Sequence, residues 1–458
     1  MYFNANISAI LLSPHNKKPK KTGKPAVDPA EIIPRPEHQV SRDNISAAAL
    51  KVLYRLKKAG FAGYLVGGSV RDLLLKRNPK DFDVATDATP EEVHELFRNS
   101  RIIGRRFRLV HVRFGREIIE VATFRSSADP ANDDHDHEVS EGTGRVLRDN
   151  VYGSLEDDVW RRDFTANALY YNIADYSIRD CVGGVDDIAD RQLCMIGDPE
   201  QRYREDPVRM LRAARFAAKL EFTIDEETGA PIPELANLLD DVPAARLFDE
   251  YCKLFQSGHA LQGFRHLREY GLFEHLFPVT EQWLQEGDER RLQFIEAALM
   301  STDERVAQDK PVTPMFLYGA FLWGPVSEFA NEQMEAQGWS LLQAIIAGAA
   351  ELTLKQNQRV FMPKRFSYPM REMLQLQPKF ERRKGRRALS ILSHPRFRAA
   401  YDLMVLRQHL GEVDEETVQW WTEAQESAPA DQEKTNSKPR SGRRGQRRRR
   451  RKPRRTDD

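Results

Sequence analysis

Two aspartates separated by one residue, Asp81 and Asp83, stand in the stretch PKDFDVAT, where Phe82 to Ala85 has the apolar character of a short strand. In a strand, residues i and i+2 face the same way, about 7 Å apart at the backbone. Two carboxylates so placed suit a shared divalent cation, and paired cations about 4 Å apart align attacking and leaving oxygens for in-line phosphoryl or nucleotidyl transfer. Such chemistry usually wants a further carboxylate. Glu120 is the natural candidate, because in REIIEVATFR, read as an adjacent strand, Ile118, Glu120 and Ala122 share a face. The competing reading of an isolated D-x-D is a surface turn, against which stands the rarity of an acid inside an otherwise apolar strand.

Gly67 and Gly68 follow the short strand Tyr64 to Val66 and open a predicted helix over Val70 to Leu75. Glycine lets backbone amides approach a phosphate closely, and the start of a helix adds a positive dipole. Arg71, in the first helical turn, would add a guanidinium for phosphate oxygens. Ser69 and Asp72 also form an S-x-x-D pattern that could simply start the helix. Glycine turn and aspartates together suggest a triphosphate held beside the metals that activate it.

Further on, RRDFTANAL places Arg161, Arg162 and Asp163 at the start of a helical stretch, and REDPVRMLRAARF puts Asp206 at an N-cap before Pro207. On the helix that follows, Arg209, Arg212, Arg215 and Lys219 form a basic stripe at three-to-four spacing. A cap and a solvated face remain the alternatives for these residues. His135, Asp136 and His137 lie in the acidic, glycine-containing stretch Ser126 to Gly144, read as a mobile surface loop and not as a metal site.

The elements that must position these groups can be read coarsely. Residues 1 to about 40 are rich in Pro and Lys without hydrophobic period, a flexible lead. Ser41 to Ala59 has helical spacing ended by Gly60, Thr89 and Pro90 start another helix, and two alternating runs around Gly115-Arg116 predict a hairpin. Beyond about Asp206 strand signals vanish, and helical patterning runs to about residue 424. The fold class is therefore α+β, with helices against a small mixed sheet and then a long helical region.

With 40% apolar residues the 458-residue chain can bury real cores. No stretch approaches the 18 or so apolar residues of a membrane helix, and the brief run Ile7 to Leu12 is a poor secretory signal. Three cysteines without metal-ligand spacing suit a reducing cytoplasm, and no G-x-x-x-x-G-K-[ST] phosphate loop is present. The net charge of +1 conceals an asymmetry. Residues 438–455 hold twelve Lys and Arg and no acid; without these and the final two aspartates, 58 basic face 67 acidic side chains. Such a run cannot fold alone and favours a polyanion, which points to nucleic acid.

The motifs YLVGGSVRDLLL, PKDFDVAT, IIEVATFR, RRDFTANALYY and YREDPVRMLRAARFAAKL resemble the class II nucleotidyltransferase family of the polymerase-beta superfamily, which contains bacterial poly(A) polymerases and tRNA CCA-adding enzymes. The resemblance implies a polymerase-beta-like nucleotidyltransferase head over 41–180, an all-helical neck binding nucleotide and RNA over 181–270, a helical body over 271–424 and a disordered arginine-rich tail over 425–458. It implies catalytic magnesium, with manganese as the alternative, on Asp81 and Asp83. Triphosphate contacts then fall on Gly67, Gly68, Ser69 and Arg71, ribose and active-site contacts on Arg161, Arg162 and Asp163, and base reading on Glu205, Asp206 and Arg209. GRRFRLVHV, HPRFRAAYDLMVLR and the arginine tail resemble the poly(A) polymerase branch more closely. That branch implies template-independent transfer of AMP from ATP to the 3′ ends of RNA, including mRNA and small regulatory RNA, in the cytoplasm, with RNA-decay proteins as further partners. The rival expectations are tRNA CCA addition and a non-catalytic RNA-binding scaffold.

Overall fold

The computed structural model describes residues 31–104, 108–126, 137–139, 146–149, 152–383 and 389–427. Its centre is a mixed eight-stranded sheet in the order β1-β10-β9-β2-β3-β6-β5-β4. These strands are β1 (Glu31–Ile33), β2 (Gly63–Val66), β3 (Asp83–Thr86), β4 (Ser100–Ile103), β5 (Leu109–Phe114), β6 (Glu117–Thr123), β9 (Leu169–Asn172) and β10 (Ile178–Asp180). β5 and β6 are the expected hairpin, turning at Gly115 with φ +63°. Within this sheet only β3 and β6 pair in parallel, and their register sets Asp83 beside Glu120.

Alternation along the strands divides the sheet's two faces. Leu65, Val84, Ile119 and Val121 point into the main core, where α1 (Ala47–Lys58) lays Val52, Leu53 and Leu56 against them. Ser46 caps that helix, its Oγ accepting from the Ala49 amide at 3.1 Å. On the opposite face Val66, Ala85, Phe124, Ala168 and Tyr170 form a smaller cluster with Val159 of α4 (Leu155–Arg161). Asp83 and Glu120 belong to this second face, since Asp83 is two residues from Ala85 and is paired with Glu120.

Around the sheet lie α2 (Gly68–Leu74), α3 (Pro90–Leu96), α5 (Gly184–Ala189), α6 (Pro199–Glu205) and α7 (Val208–Leu220). The longer helices beyond are α8 (Ala244–Phe255), α9 (Ala260–Glu269), α10 (Glu289–Ala307), α11 (Pro314–Gln337), α12 (Leu341–Gln356), α13 (Lys364–Leu376), α14 (Phe397–Leu406) and α15 (Glu415–Glu426). Aromatic rings knit this region: Phe321 of α11 lies 5.3 Å from Phe255 and 4.9 Å from Phe277, centroid to centroid. One buried cluster runs without interruption from Val40 to Trp421, so sheet and helices share a core.

Several expectations need correction. The stretch read as a lead contributes β1, which closes one sheet edge by pairing with β10, and Val40 is fully buried. Within Ser126 to Gly144, β7 (His137–Val139) pairs with β8 (Val146–Asp149), so part of the expected loop is a strand; His135 and Asp136 lie outside the described residues. Arg161, Arg162 and Asp163 end a helix instead of starting one. The chain leaves α4 there and passes through a 3-10 turn at Thr165–Asn167 into β9. One short strand, β12 (Thr223–Ile224), follows Asp206 and pairs in parallel with β11 (Gln192–Leu193). Residues 1–30 and 428–458, which include most of the lead and the arginine-rich tail, lie outside the described residues.

Candidate active site

Gly67 joins β2 to α2 with φ +69° and ψ −133°, a combination only glycine adopts without strain. The amides of Gly68 and Ser69 fall in the first turn of α2, where a helix offers them no partner. The Ser69 hydroxyl is already engaged, donating to the Val66 carbonyl at 2.9 Å, and so closes the turn. Arg71 is buried. Its Nη1 donates to the Asn167 Oδ1, and its Nε and Nη2 donate to the Asp72 Oδ1 at 2.9 and 2.7 Å. It also lines the adjoining cavity.

That cavity, of about 640 Å³, brings together most of the residues singled out by sequence: Gly67, Gly68, Ser69, Arg71, Asp81, Asp83, Arg161, Arg162, Asp163, Asp206, Arg209, Arg212 and Lys219. Asp83 is the first residue of β3 and Asp81 precedes the strand by two, so extended backbone still turns both toward the cavity. Asp83 is open to solvent through the cavity mouth but ringed by protein on its other sides. Burial, then the Glu120 carboxylate, pushes its carboxyl up to about 6, with Arg162 opposing and Asp81 adding to the rise. Glu120 stands beside Asp83 at the edge of this group, its Oε1 3.1 Å from the Nε2 of His111 in β5.

The arginines are held by a dense set of bonds. Arg162 donates from Nη2 to the Asp158 Oδ2 at 3.0 Å, from Nε to the Tyr170 hydroxyl at 2.8 Å and from Nη1 to the Asn167 carbonyl at 3.2 Å. Burial works against its charge, yet the Tyr170 and Asp158 oxygens hold it more firmly protonated than usual. Asp163 accepts on Oδ2 from the Nε of Arg212 at 2.6 Å and on Oδ1 from the Phe164 amide at 3.0 Å. Burial would raise its pKa, but Arg212 overrides this and holds it below the usual range. Both of its oxygens are therefore committed to protein donors.

Glu205 grips two guanidiniums, accepting from Arg202 at 2.9 Å and from Arg209 at 3.0 Å. Burial, then the neighbouring Arg209, pushes Arg202 down to about 10. Asp206 does not take the expected N-cap position, which falls to Pro207; it closes α6, and its carboxylate accepts from the Val208 amide at 3.3 Å and from Arg246 Nη2 at 2.6 Å. The stripe on α7 is no solvated face: Arg212 and Lys219 line the cavity, and Arg215 stacks on Phe216 at 4.2 Å and reaches Glu250 at 3.6 Å.

Sequence reasoning missed Lys80, Asn167, Phe216, Arg246 and Glu250 as cavity residues. Phe216 was legible, four residues after Arg212 on the same face. Arg246 and Glu250 sit on α8 with the i, i+4 spacing of any polar helix face, and nothing local marks them.

The donor set fits a hard divalent cation. Asp81 and Asp83 face one space, Asp83 resists ionisation beside two other carboxylates, and magnesium characteristically takes one or two carboxylates together with substrate phosphates. Among the described residues no three or more His, Cys, Asp or Glu side chains are gathered into a ready ligand cage. A glycine turn at a helix start, two acids at a strand start and a cationic helix across the cavity define a nucleotidyltransferase head.

Comparison with known proteins narrows this class. Residues 63–194 match the "Poly A polymerase head domain", 221–284 the "Probable RNA and SrmB- binding site of polymerase A" and 337–456 the "Polymerase A arginine-rich C-terminus". The Poly(A) polymerase I of Salmonella typhi is 48% identical over 404 residues, covering 88% of this chain and 87% of that protein. Its counterpart from Escherichia coli O6:H1 is 48% identical over 431 residues, 93% of each chain. A CCA-adding enzyme of Lactobacillus helveticus is 39% identical but over 47% of this chain and 52% of its own. A solved "tRNA-processing enzyme (apo form I)" shares the fold with TM-score 0.59, at 22% identity over 86% of this chain and 94% of its own. The chain belongs to the bacterial poly(A) polymerase I family.

Proposed function

We propose that the protein is a polynucleotide adenylyltransferase that extends RNA 3′ ends with AMP from ATP and releases pyrophosphate, without a template. The observation that carries this reading is the single cavity in which the glycine turn, Asp81, Asp83 and the cationic face of α7 converge, in a chain 48% identical to proteins named Poly(A) polymerase I. In it residues 41–180 are the catalytic head, 181–270 the neck and 271–424 the body.

The triphosphate lies against the amides of Gly68 and Ser69, with cavity cations such as Arg71, Lys80 and Lys219 balancing its charge. Asp81 and Asp83 hold magnesium, which when bound supplies a Lewis acid for the attacking hydroxyl and the leaving pyrophosphate. Glu120, held by His111, completes the acidic group beside Asp83. The RNA 3′ hydroxyl gives up its proton to solvent, and its oxygen bonds to the α-phosphorus of ATP as the bond to pyrophosphate breaks; the chain's contribution is to align the two. Asp163 acts by positioning: it fixes Arg212 toward the cavity, and Arg161 and Arg162 hold the wall near the sugar. Asp206 and Arg209 present an acceptor and a donor to the base edge.

RNA is held mainly through its backbone by the helical region and the basic tail. The match over 221–284, described as a probable RNA and SrmB binding site, supports RNA as a partner; RNA-decay proteins are proposed as further ones. Among the described residues no helix is long and apolar enough to cross a membrane, and three cysteines free of disulfides accord with a cytoplasmic setting.

The test is nucleotide incorporation. Purified protein is given oligo(A) with each nucleoside triphosphate in turn, and separately tRNA lacking its CCA end with CTP and ATP. Long A tracts from ATP alone are expected; short, terminated addition of C and A to tRNA would replace this reading with CCA addition.

A further inference from the structure

The helix α8 lines the cavity with Arg246 and Glu250. The chain preceding α13 is fastened to that helix: the Phe361 amide donates to the carbonyl of Ala244, the first residue of α8, at 3.0 Å, and Phe366 packs on Phe248 at 6.2 Å. This places the first turns of α13 beside the helix that lines the cavity.

The outward side of that segment is unusual in composition. Phe361 is 45% and Tyr368 50% exposed, large rings left in water where the rest of the segment buries Met362, Ser367 and Met370. Lys364 and Arg365 stand between the two rings in sequence, and Lys364, Tyr368 and Arg371 recur at i, i+4 and i+7 along one helix face. The guanidinium of Arg371 lies 4.9 Å over the Tyr368 ring. Among the described residues none of these three cations forms an ion pair, and the adjacent acid, Glu372, is already bonded to Arg396 at 3.2 Å. A protein core would cover such rings with aliphatic side chains, and a solvated face would omit them. Exposed aromatic rings interleaved with cations that form no ion pair, of which Arg365 and Arg371 lie over the rings of Phe366 and Tyr368, match single-stranded nucleic acid, whose bases stack while its phosphates bind the charges.

We propose that Phe361, Lys364, Arg365, Tyr368 and Arg371 form a stacking platform for the single-stranded RNA segment that leads to the cavity, a reading that rests on RNA being the substrate. Because every base has a π face, the platform tolerates any sequence, as an enzyme acting on varied 3′ ends requires.

The experiment measures binding of fluorescent 15-nucleotide oligo(A) and oligo(U) to the full chain and its variants over a range of salt, with AMP incorporation by the unmodified protein followed in parallel. Phe361→Ala and Tyr368→Ala each weaken both RNAs about tenfold. Tyr368→Phe retains affinity, since stacking needs only the ring, and the exposed position leaves thermal stability unchanged in all three. The double change Lys364→Ala and Arg365→Ala lowers the logarithmic salt slope by roughly 1.4, about 0.7 for each phosphate no longer neutralised. Variants that bind both RNAs with the affinity and salt slope of the unmodified protein overturn the platform and leave this face to a protein partner. Should the unmodified protein add no AMP while the variants still lose RNA, the platform stands and the catalytic reading falls.

Discussion

Asp83 joins charge to chemistry at the scale of single residues. Burial and the Glu120 carboxylate push its carboxyl up to about 6, so in the absence of a cation the fold prefers the protonated form. The folded-state value lies above the ordinary one. The contribution of Asp83 to the stability of the metal-free protein therefore rises as pH falls from about 6 toward the ordinary carboxylate range, and is lowest above 6, where Asp83 is ionised. Cation binding runs the other way, since the carboxyl has to lose its proton first. Titration of the nucleotide-free protein with magnesium by calorimetry is expected to show affinity weakening below pH 6, and Asp83→Asn is expected to remove that dependence along with most of the affinity. Affinity constant between pH 5 and 7 would speak against Asp83 as a ligand. Asp163 illustrates the opposite sign: Arg212 holds it ionised, and its role is to fix a cation.

At the scale of elements, the strand-to-helix turn at Gly67 sets the position of the Gly68 and Ser69 amides proposed to hold the triphosphate. An added Cβ would meet the Arg162 Nη1 at 3.4 Å and the Asn167 carbonyl at 3.7 Å, ordinary contacts, so the cost of Gly67→Ala is backbone strain at φ +69°. About 1–3 kcal/mol of stability is expected to be lost in denaturant unfolding, with a raised KM for ATP as the Gly68 and Ser69 amides shift. Unchanged stability and KM would show that the turn has no such part. The sequence made this turn legible, as it did β3, the β5–β6 hairpin and α1, because each is fixed by neighbours within a few residues. What it concealed is non-local. β1 is three residues among prolines, and it becomes a strand only by pairing with β10, far along the chain. Arg161 to Asp163 were legible as a cluster but not as the end of a helix, because residues 155–161 carry a capping box whose acidic member is Asp157, not the more usual Glu or Gln. Arg246 and Glu250 join the cavity only because α8 packs against α7.

For the whole molecule, charge is divided between residues 438–455, with twelve cations and no acid, and a remainder in which 67 acidic side chains, the final two aspartates apart, outnumber 58 basic ones. Counterion release makes the contribution of such a run visible as salt dependence. Removing residues 428–458 is expected to flatten the salt slope of RNA binding by several units and to leave AMP transfer to a short primer at saturating RNA within about twofold. An unchanged slope would take the tail out of RNA binding and leave that role to the helical region and the platform on α13.

The account depends most on Asp81 and Asp83 acting together in the cavity beside the glycine turn. The direct measurement is single-turnover AMP incorporation into oligo(A) by Asp81→Ala and Asp83→Ala, with RNA affinity measured on the same preparations. Each variant is predicted to lose at least about 10²–10³-fold in rate while binding RNA as the unmodified protein does; a variant that kept its rate with RNA bound normally would contradict the assignment of the reaction to these carboxylates.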